Sequence, residues 1–412
     1  MNKPRLRWLW DSPYYGYLTY PHYNGFFGGG RYMVIRKQVN ISDSSPSLHV
    51  YDLQRDVFTL FPNLPNGNTL IGGYWDVHYE SGYFVSPEIE DHADEPNQRI
   101  WGINIMDFIT TGLINWEIIW EAVPIGQFKP TIPDSACSIH PNGAKIAFSL
   151  NVPKQAGDTY RRQLIEVDLI RKTQKTCCEE AFNLNHVHYM SYDPNWIMFS
   201  KDEPFLNPQP PHERENTQRV WAYHRLKAPN GINYMPQVYP SSTRITHLSH
   251  EKAGYNKETV VAITYDGVAN QRGVMKKNTD YLFANRIAGG RYQHVDISRN
   301  GRWTVASTDE ASPTGVGSGF DVQIIDNLLP NIIYANKDTV ILSGGVDQRY
   351  LNVAHGEAHP IFSPDGRYVL FQAAGDFTDP IKAKGLKIGI IDTRNGDYDR
   401  EFDPIAYGSP SV

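Results

Sequence analysis

One hairpin, repeated seven times, constrains this chain more than any other feature. An apolar strand, a turn and a second apolar run recur as HYNGFFGGGRYMVIRK (22–37), HYMSYDPNWIMFSKD (188–202), HEKAGYNKETVVAITYD (250–266), HVDISRNGRWTVASTD (294–309) and HPIFSPDGRYVLFQAA (359–374). Two further copies, WDVHYESGYFVSP (75–87) and ACSIHPNGAKIAFSL (136–150), lack the opening histidine. The turn residues are Gly29, Gly82, Gly143, Asn195, Lys257, Gly301 and Gly366. Their spacing runs from 44 residues (Lys257 to Gly301) to 65 (Gly301 to Gly366), room each time for a four-stranded unit. Most hairpins are followed by a strand ending in an Asp turn, as in RQLIEVDLIRKTQKTCC and LKIGIIDTRNGDYDREF. No helix-period segment of useful length interrupts them. A repeat of this size cannot bury its apolar face alone and must stack on its neighbours. The expected fold is all-β, a seven-bladed β-propeller, with residues 1–412 as a single domain. The N-terminal segment is expected to add a strand to the last blade.

Composition narrows the partners. The net charge is −6 with mixed signs along the chain, so no basic field for nucleic acid or an anionic membrane is present. No run of 18 apolar residues exists to cross a bilayer. Tyr (25) and Trp (9) are plentiful, which suits strands and surfaces that stack on sugars. Cys137, Cys177 and Cys178 offer no disulfide framework. The start, MNKPRLRWLWDSPYYGY, lacks the apolar stretch of a signal peptide. A cytoplasmic location is expected, or a periplasmic or secreted one if a leader was removed. A monomer or homodimer is expected.

In a propeller blade the first strand starts at the face that carries the long connections between strands two and three. Those connections here include EIEDHADEPNQ (88–98), KQAGDTY (154–160) and DEPFLNPQPPHERENTQ (202–218). His22, His188, His250, His294 and His359 would therefore gather at that face. A lone histidine opening a strand is ordinarily a scaffold residue; five at one repeat position point to a metal or acid–base centre. His355, Glu357 and His359 alternate, so an extended strand would aim all three the same way. Imidazole with carboxylate suits Mn, Fe or Zn better than Ca. Gln98-Arg99-Ile100-Trp101 and Gln218-Arg219-Val220-Trp221 open the third strands of two blades. An arginine there could grip a carboxylate with two parallel hydrogen bonds, or form a rim salt bridge. A metal, a free histidine and an arginine suit eliminative cleavage of uronate glycans. A cation on the uronate carboxylate stabilises the enolate that forms as a neutral histidine removes the C5 proton.

The motifs HVHYMSYDPNWIMFSKDEP…RVW, THLSHEKAGYNKE, HVDISRNGRW and HGEAHPIFSPDGRYVLF, spanning roughly residues 180–375, resemble the oligogalacturonate lyases, seven-bladed propellers that use Mn²⁺. The resemblance implies His250 as the base and Arg219 as the carboxylate-binding catalytic arginine. It implies His186 or His188 as a substrate-binding residue; Tyr189 is expected to bind substrate too, and Tyr189, Tyr192 or Tyr255 could serve as the acid in a lyase with a Tyr-containing site. The resemblance implies His294 and His359 as metal ligands. The family's Gln-x-x-His-x-His run reads Ala354-His355-Gly356-Glu357-Ala358-His359 here, so His355 and Glu357 would complete the ligand set. The cofactor so implied is Mn²⁺, with Zn²⁺ or Ca²⁺ as alternatives, and the partner is an acidic oligo- or polysaccharide. Other uronate glycans such as ulvan, cut with a Tyr/His/Arg site, form an alternative. A non-catalytic propeller scaffold forms another. A propeller glycoside hydrolase ranks lower, since no carboxylate pair recurs at the repeated positions.

Overall fold

The computed structural model describes residues 6–9, 15–19, 23–38, 47–66, 70, 74–88, 98–133, 136–190, 193–201, 220–234, 248–253, 260–264, 273–277, 285–289, 292–298, 303–308, 322–326, 359–364, 366–374 and 386–392. They form strands in antiparallel sheets. β1 (Leu6–Trp8) precedes a first sheet of β2 (Tyr15–Tyr17), β3 (Phe26–Phe27), β4 (Tyr32–Gln38), β5 (Ser47–Asp52) and β6 (Val57–Leu60). The second sheet holds β7 (Asp76–Val77), β8 (Tyr83–Pro87), β9 (Arg99–Asn104) and β10 (Glu117–Glu121). The third holds β11 (Ser138–Ile139), β12 (Lys145–Asn151), β13 (Arg162–Asp168) and β14 (Thr173–Glu180). The fourth holds β15 (Leu184–Tyr189), β16 (Trp196–Lys201), β17 (Val220–His224) and β18 (Ala228–Asn233). The fifth holds β19 (Leu248–Ala253), β20 (Val260–Thr264), β21 (Gly273–Lys277) and β22 (Asn285–Gly289). The sixth shows β23 (Tyr292–Ile297), β24 (Trp303–Thr308) and β25 (Val322–Asp326). In the last sheet β26 (Ile361–Phe362), β27 (Tyr368–Ala374) and β28 (Leu386–Asp392) are joined by β1, with Leu6 opposite Ile391. The chain divides into two compact units, one of residues 1–21, 34–49 and 238–412, the other of 22–33 and 50–237.

Burial falls from leading to outer strand within a sheet. In β12 five consecutive residues, Ile146–Leu150, are buried, so both faces of the strand are covered. In β14 five of eight residues are exposed. Between the second and third sheets the core is Val85, Ile100, Trp120, Ile146, Phe148 and Ile165. Between the third and fourth it is Leu164, Phe182, Leu184, Ile197 and Phe199. Burial of this kind contributes roughly 25 cal/mol per Å² and is the main force stacking the sheets.

Polar side chains fix how neighbouring leading strands align. Asp76, 5% exposed, accepts from the backbone N–H of Asn24 at 2.8 Å and of Val77 at 2.9 Å with one oxygen. Its other oxygen accepts from the N–H of Ile139 at 2.7 Å and the Ser138 hydroxyl at 3.3 Å. One step on, the Ser138 hydroxyl oxygen accepts from the Tyr189 N–H at 3.3 Å. In the other unit Asp296 repeats the device, accepting from its neighbour Ile297 and, at 2.7 Å, from the Phe362 N–H of the next leading strand. Buried carboxylates are tolerated where several N–H groups replace lost water, as here.

Among the described residues one helix, α1 (Ile105–Thr111), departs from the all-strand expectation. Asn104 caps it by accepting from Met106 and Asp107, and Gly112 ends it in the left-handed conformation. Only Ile105 is buried, so the segment carries no apolar period for sequence inspection to find.

Candidate functional site

Distance along the leading strand from the pair nearest the turn, not motif spacing, decides which histidines correspond. The pairs nearest the turns are Tyr189–Ile197, Ala253–Val260, Ile297–Thr304 and Phe362–Val369 in the fourth to seventh sheets. Counting back three residues along the leading strand gives His186, His250, His294 and His359. The second and third sheets put Tyr74 and Ala136 there, from the pairs Val77–Phe84 and Ile139–Ile146. His188, expected in this row, therefore lies two residues nearer its turn. The fourth turn holds one residue more than those of the second, third and fifth to seventh sheets, and Asn195 matches Arg367 rather than Gly366. Both displacements are invisible to spacing alone.

The row also shares distorted backbone. In β15 the pairing shifts between Asn185 and His188, so His186 and Val187 together face Phe199. In β19 it shifts between Ser249 and Lys252, so His250 and Glu251 face Ala262. In β23 the shift falls at Gln293, directly before His294. Bulges re-aim side chains and recur beside functional sites. His186 and His359 have φ of 54° and 40°, a left-handed conformation uncommon for residues other than glycine.

Within one unit, β19 packs beside β23, and β23 beside β26. The Asp296–Phe362 hydrogen bond fixes the alignment of the last pair. His250, His294 and His359 thus occupy corresponding positions, each three residues before the pair nearest the turn of three successive sheets, although across the hairpin His250 faces Ala262 and His294 faces Ser307, one pair farther from its turn. His359 is 7% exposed. The side chains of His250 and His294 lie outside the described residues, as do Arg219, His355 and Glu357. Among the described residues no group of three or more His, Cys, Asp or Glu is placed to hold a metal. The donor chemistry expected of His294, His355, Glu357 and His359, three imidazoles and a carboxylate, fits Mn²⁺ or Zn²⁺ and fits Ca²⁺ poorly.

In the other unit, His186 is half-buried while His188 is 1% exposed, with its Nδ1 3.0 Å from the His186 carbonyl. That contact requires the proton on Nδ1. The Tyr189 hydroxyl donates to Glu166 at 3.2 Å and its ring meets His140 edge-on at 4.9 Å. Burial, then the Glu166 charge, pushes the Tyr189 phenol well up, so it stays protonated. Its described contacts are those of a wedge between the third and fourth sheets. Arg99 donates from Nε to Glu121 at 3.0 Å, the rim salt bridge of its two readings. Gln98 beside it is buried; its carbonyl side-chain oxygen accepts from the Ile132 N–H and its amide donates to the Glu88 carbonyl at 3.3 Å.

The buried Asp76 and Asp296 were not singled out from sequence. Their signal is an Asp followed by a β-branched residue in the leading strand, Asp76-Val77 and Asp296-Ile297.

No family model and no curated protein matches this chain in sequence. Solved structures do. An oligogalacturonate lyase in complex with manganese superposes with a TM-score of 0.62 at 13% identity, over 94% of this chain and 93% of that one. An oligogalacturonate lyase from Vibrio parahaemolyticus gives 0.59 at 12% identity, over 95% and 94%. Prolyl oligopeptidase B from Galerina marginata gives 0.53 at 10% identity, over 93% of this chain and 52% of that one. The chain has the all-β propeller fold of the oligogalacturonate lyases.

Proposed function

We propose that this protein is a uronate lyase that cleaves acidic glycans by metal-assisted β-elimination, built as one seven-bladed propeller. The observation that carries the reading is the shared position of His250 in β19, His294 in β23 and His359 just before β26, each three residues before the pair nearest its turn, on leading strands that pack side by side. It is supported by a fold shared along nearly the whole length of two oligogalacturonate lyases.

His294, His355, Glu357 and His359 would hold the divalent ion, Mn²⁺ before Zn²⁺. Bound there, the ion supplies Lewis-acid stabilisation of charge on the uronate carboxylate. His250, acting as a neutral imidazole, would take the C5 proton. Arg219 grips the substrate carboxylate through its planar fork. The chain after β18, Tyr234 to Arg244, contains no Asp or Glu, whereas the strand after Arg99 supplies Glu121. That difference favours a substrate role for Arg219 over a rim salt bridge. His186 would take the substrate-binding role, with the buried His188 holding its backbone through a hydrogen bond to the His186 carbonyl.

The substrate is an oligogalacturonate or another uronate glycan such as ulvan, met in the cytoplasm as short fragments by a monomer or homodimer. Metal analysis of the purified protein, followed by ultraviolet detection of 4,5-unsaturated product on a panel of uronate glycans, tests the reading. A metal-free protein that yields no chromophore on any of them is instead a non-catalytic scaffold.

A further inference from the structure

Ser307, in β24, stands directly opposite His294 of β23 on one side and Val322 of β25 on the other. Directly opposed residues of antiparallel strands share one face of the sheet. All three residues belong to the same compact unit. Ser307 is 1% exposed, and its hydroxyl meets no hydrogen-bond partner among the described residues. A hydroxyl left bare in such a place costs about 1–3 kcal/mol, and buried polar groups nearly always find a partner. Of the two residues opposite Ser307, only His294 carries a polar side chain.

The histidine assigned to proton transfer differs at this point. His250, together with Glu251, faces Ala262, which offers no hydroxyl. A metal-ligating histidine ordinarily donates its second N–H to an oxygen, which fixes the tautomer and the direction of the ring. A serine oxygen accepts such a bond as readily as it donates one. The hydroxyl therefore lies opposite the histidine expected to hold the ion and is missing opposite the one expected to move a proton.

We propose that Ser307 is a positioning residue for His294: its Oγ accepts from the imidazole Nδ1–H and leaves Nε2 for the divalent ion. The Cβ atoms of an opposed pair lie roughly 5 Å apart, a separation at which a serine hydroxyl reaches the nearer ring nitrogen, Nδ1. The metal role of His294 rests on the uronate lyase reading; the hydrogen bond does not.

Long-range proton–nitrogen correlation spectra of the histidine rings, recorded on the metal-free full chain at a pH where imidazole is neutral, read the tautomer directly; His294→Gln marks which signals belong to His294. In the parent the proton should sit on Nδ1. Ser307→Ala should move the population toward Nε2, while Ser307→Thr, which keeps a hydroxyl, should hold it on Nδ1. Calorimetric titration with MnCl₂ should show affinity about tenfold weaker in Ser307→Ala than in the parent and recovered in Ser307→Thr. A purely structural serine would change the melting temperature and leave the tautomer alone. An unchanged tautomer in Ser307→Ala, or Mn²⁺ binding as tight as the parent's, overturns the positioning role. The metal reading fails separately: a parent that takes up no Mn²⁺ yet shows the Ser307-dependent tautomer keeps the hydrogen bond and loses the ion.

Discussion

His186 and His250 begin the same two-residue bulge in two different sheets, one opposite Phe199 and the other opposite Ala262. Equivalent histidines at equivalent distortions are more than repeat descent needs, because a bulge gives up a ladder hydrogen bond each time. His188, which sequence spacing aligned with His250, sits in regular pairing opposite Met198 and is buried.

The two neighbouring histidines should therefore separate in experiment. His186→Ala should cut lyase activity on uronate oligomers by at least about tenfold while moving stability by less than about 1 kcal/mol, as its ring is only half-buried. His188→Ala should cost about 2 kcal/mol of folding stability through the cavity and the lost hydrogen bond. Thermal melts beside initial rates distinguish them. Equal melting temperatures for the two variants would count against the register assignment.

Asp76 should prove among the most sensitive positions outside the site. Asp76→Ala leaves the N–H groups of Asn24 and Ile139 without their acceptor in a buried setting. The expected cost is about 3 kcal/mol, from charge-assisted bonds lost and donors left bare. Asp158→Ala, on a loop ion pair screened by solvent, should leave the unfolding midpoint nearly unchanged. Urea unfolding of the two variants provides the comparison.

Two turn glycines offer a cleaner contrast. Gly29 has φ of 69° and open space around a would-be Cβ; Gly82 has φ of 68°, with Met106 Cγ 2.7 Å and Phe27 3.0 Å from that position. Gly29→Ala should cost about 1 kcal/mol, the left-handed backbone penalty alone. Gly82→Ala should cost about 2–3 kcal/mol, since α1 must shift to relieve the overlap. Equal losses would mean that Met106 yields without resistance.

The hairpin grammar was legible because turns and period-2 apolar runs are local. Every described leading strand lies at or beside a repeat read from sequence, and β1 joins the last sheet as expected. The equivalence of His186 rather than His188 was not legible, because a bulge and a longer turn change register without changing residue type. The stitches at Asp76 and Asp296 were hidden for another reason. They join residues 63 and 66 positions apart, and the acceptor carries no mark of its distant donor. Helix α1 was missed because seven residues with one buried side chain hold no period.

Glu180 should give folding stability a pH dependence of unusual sign. It ends β14 with a carboxyl oxygen close against Gly231, and burial raises its pKa to about 7, an effect that Lys201 partly opposes. The folded state thus binds a proton that the unfolded chain releases near pH 4.5, its ordinary value. Stability from this group is full below that value and is lost as pH rises through about 7. Most carboxylates act in the opposite sense. Glu180→Gln should flatten the melting temperature between about pH 5 and pH 7 and exceed the parent above it. The gain should be no more than about 1 kcal/mol, because part of the carboxyl faces water and is screened. Lys201→Met, which removes the opposing charge, should push the transition to higher pH. A Glu180→Gln variant whose melting profile tracks the parent across the whole range would show that the carboxyl is as well solvated folded as unfolded.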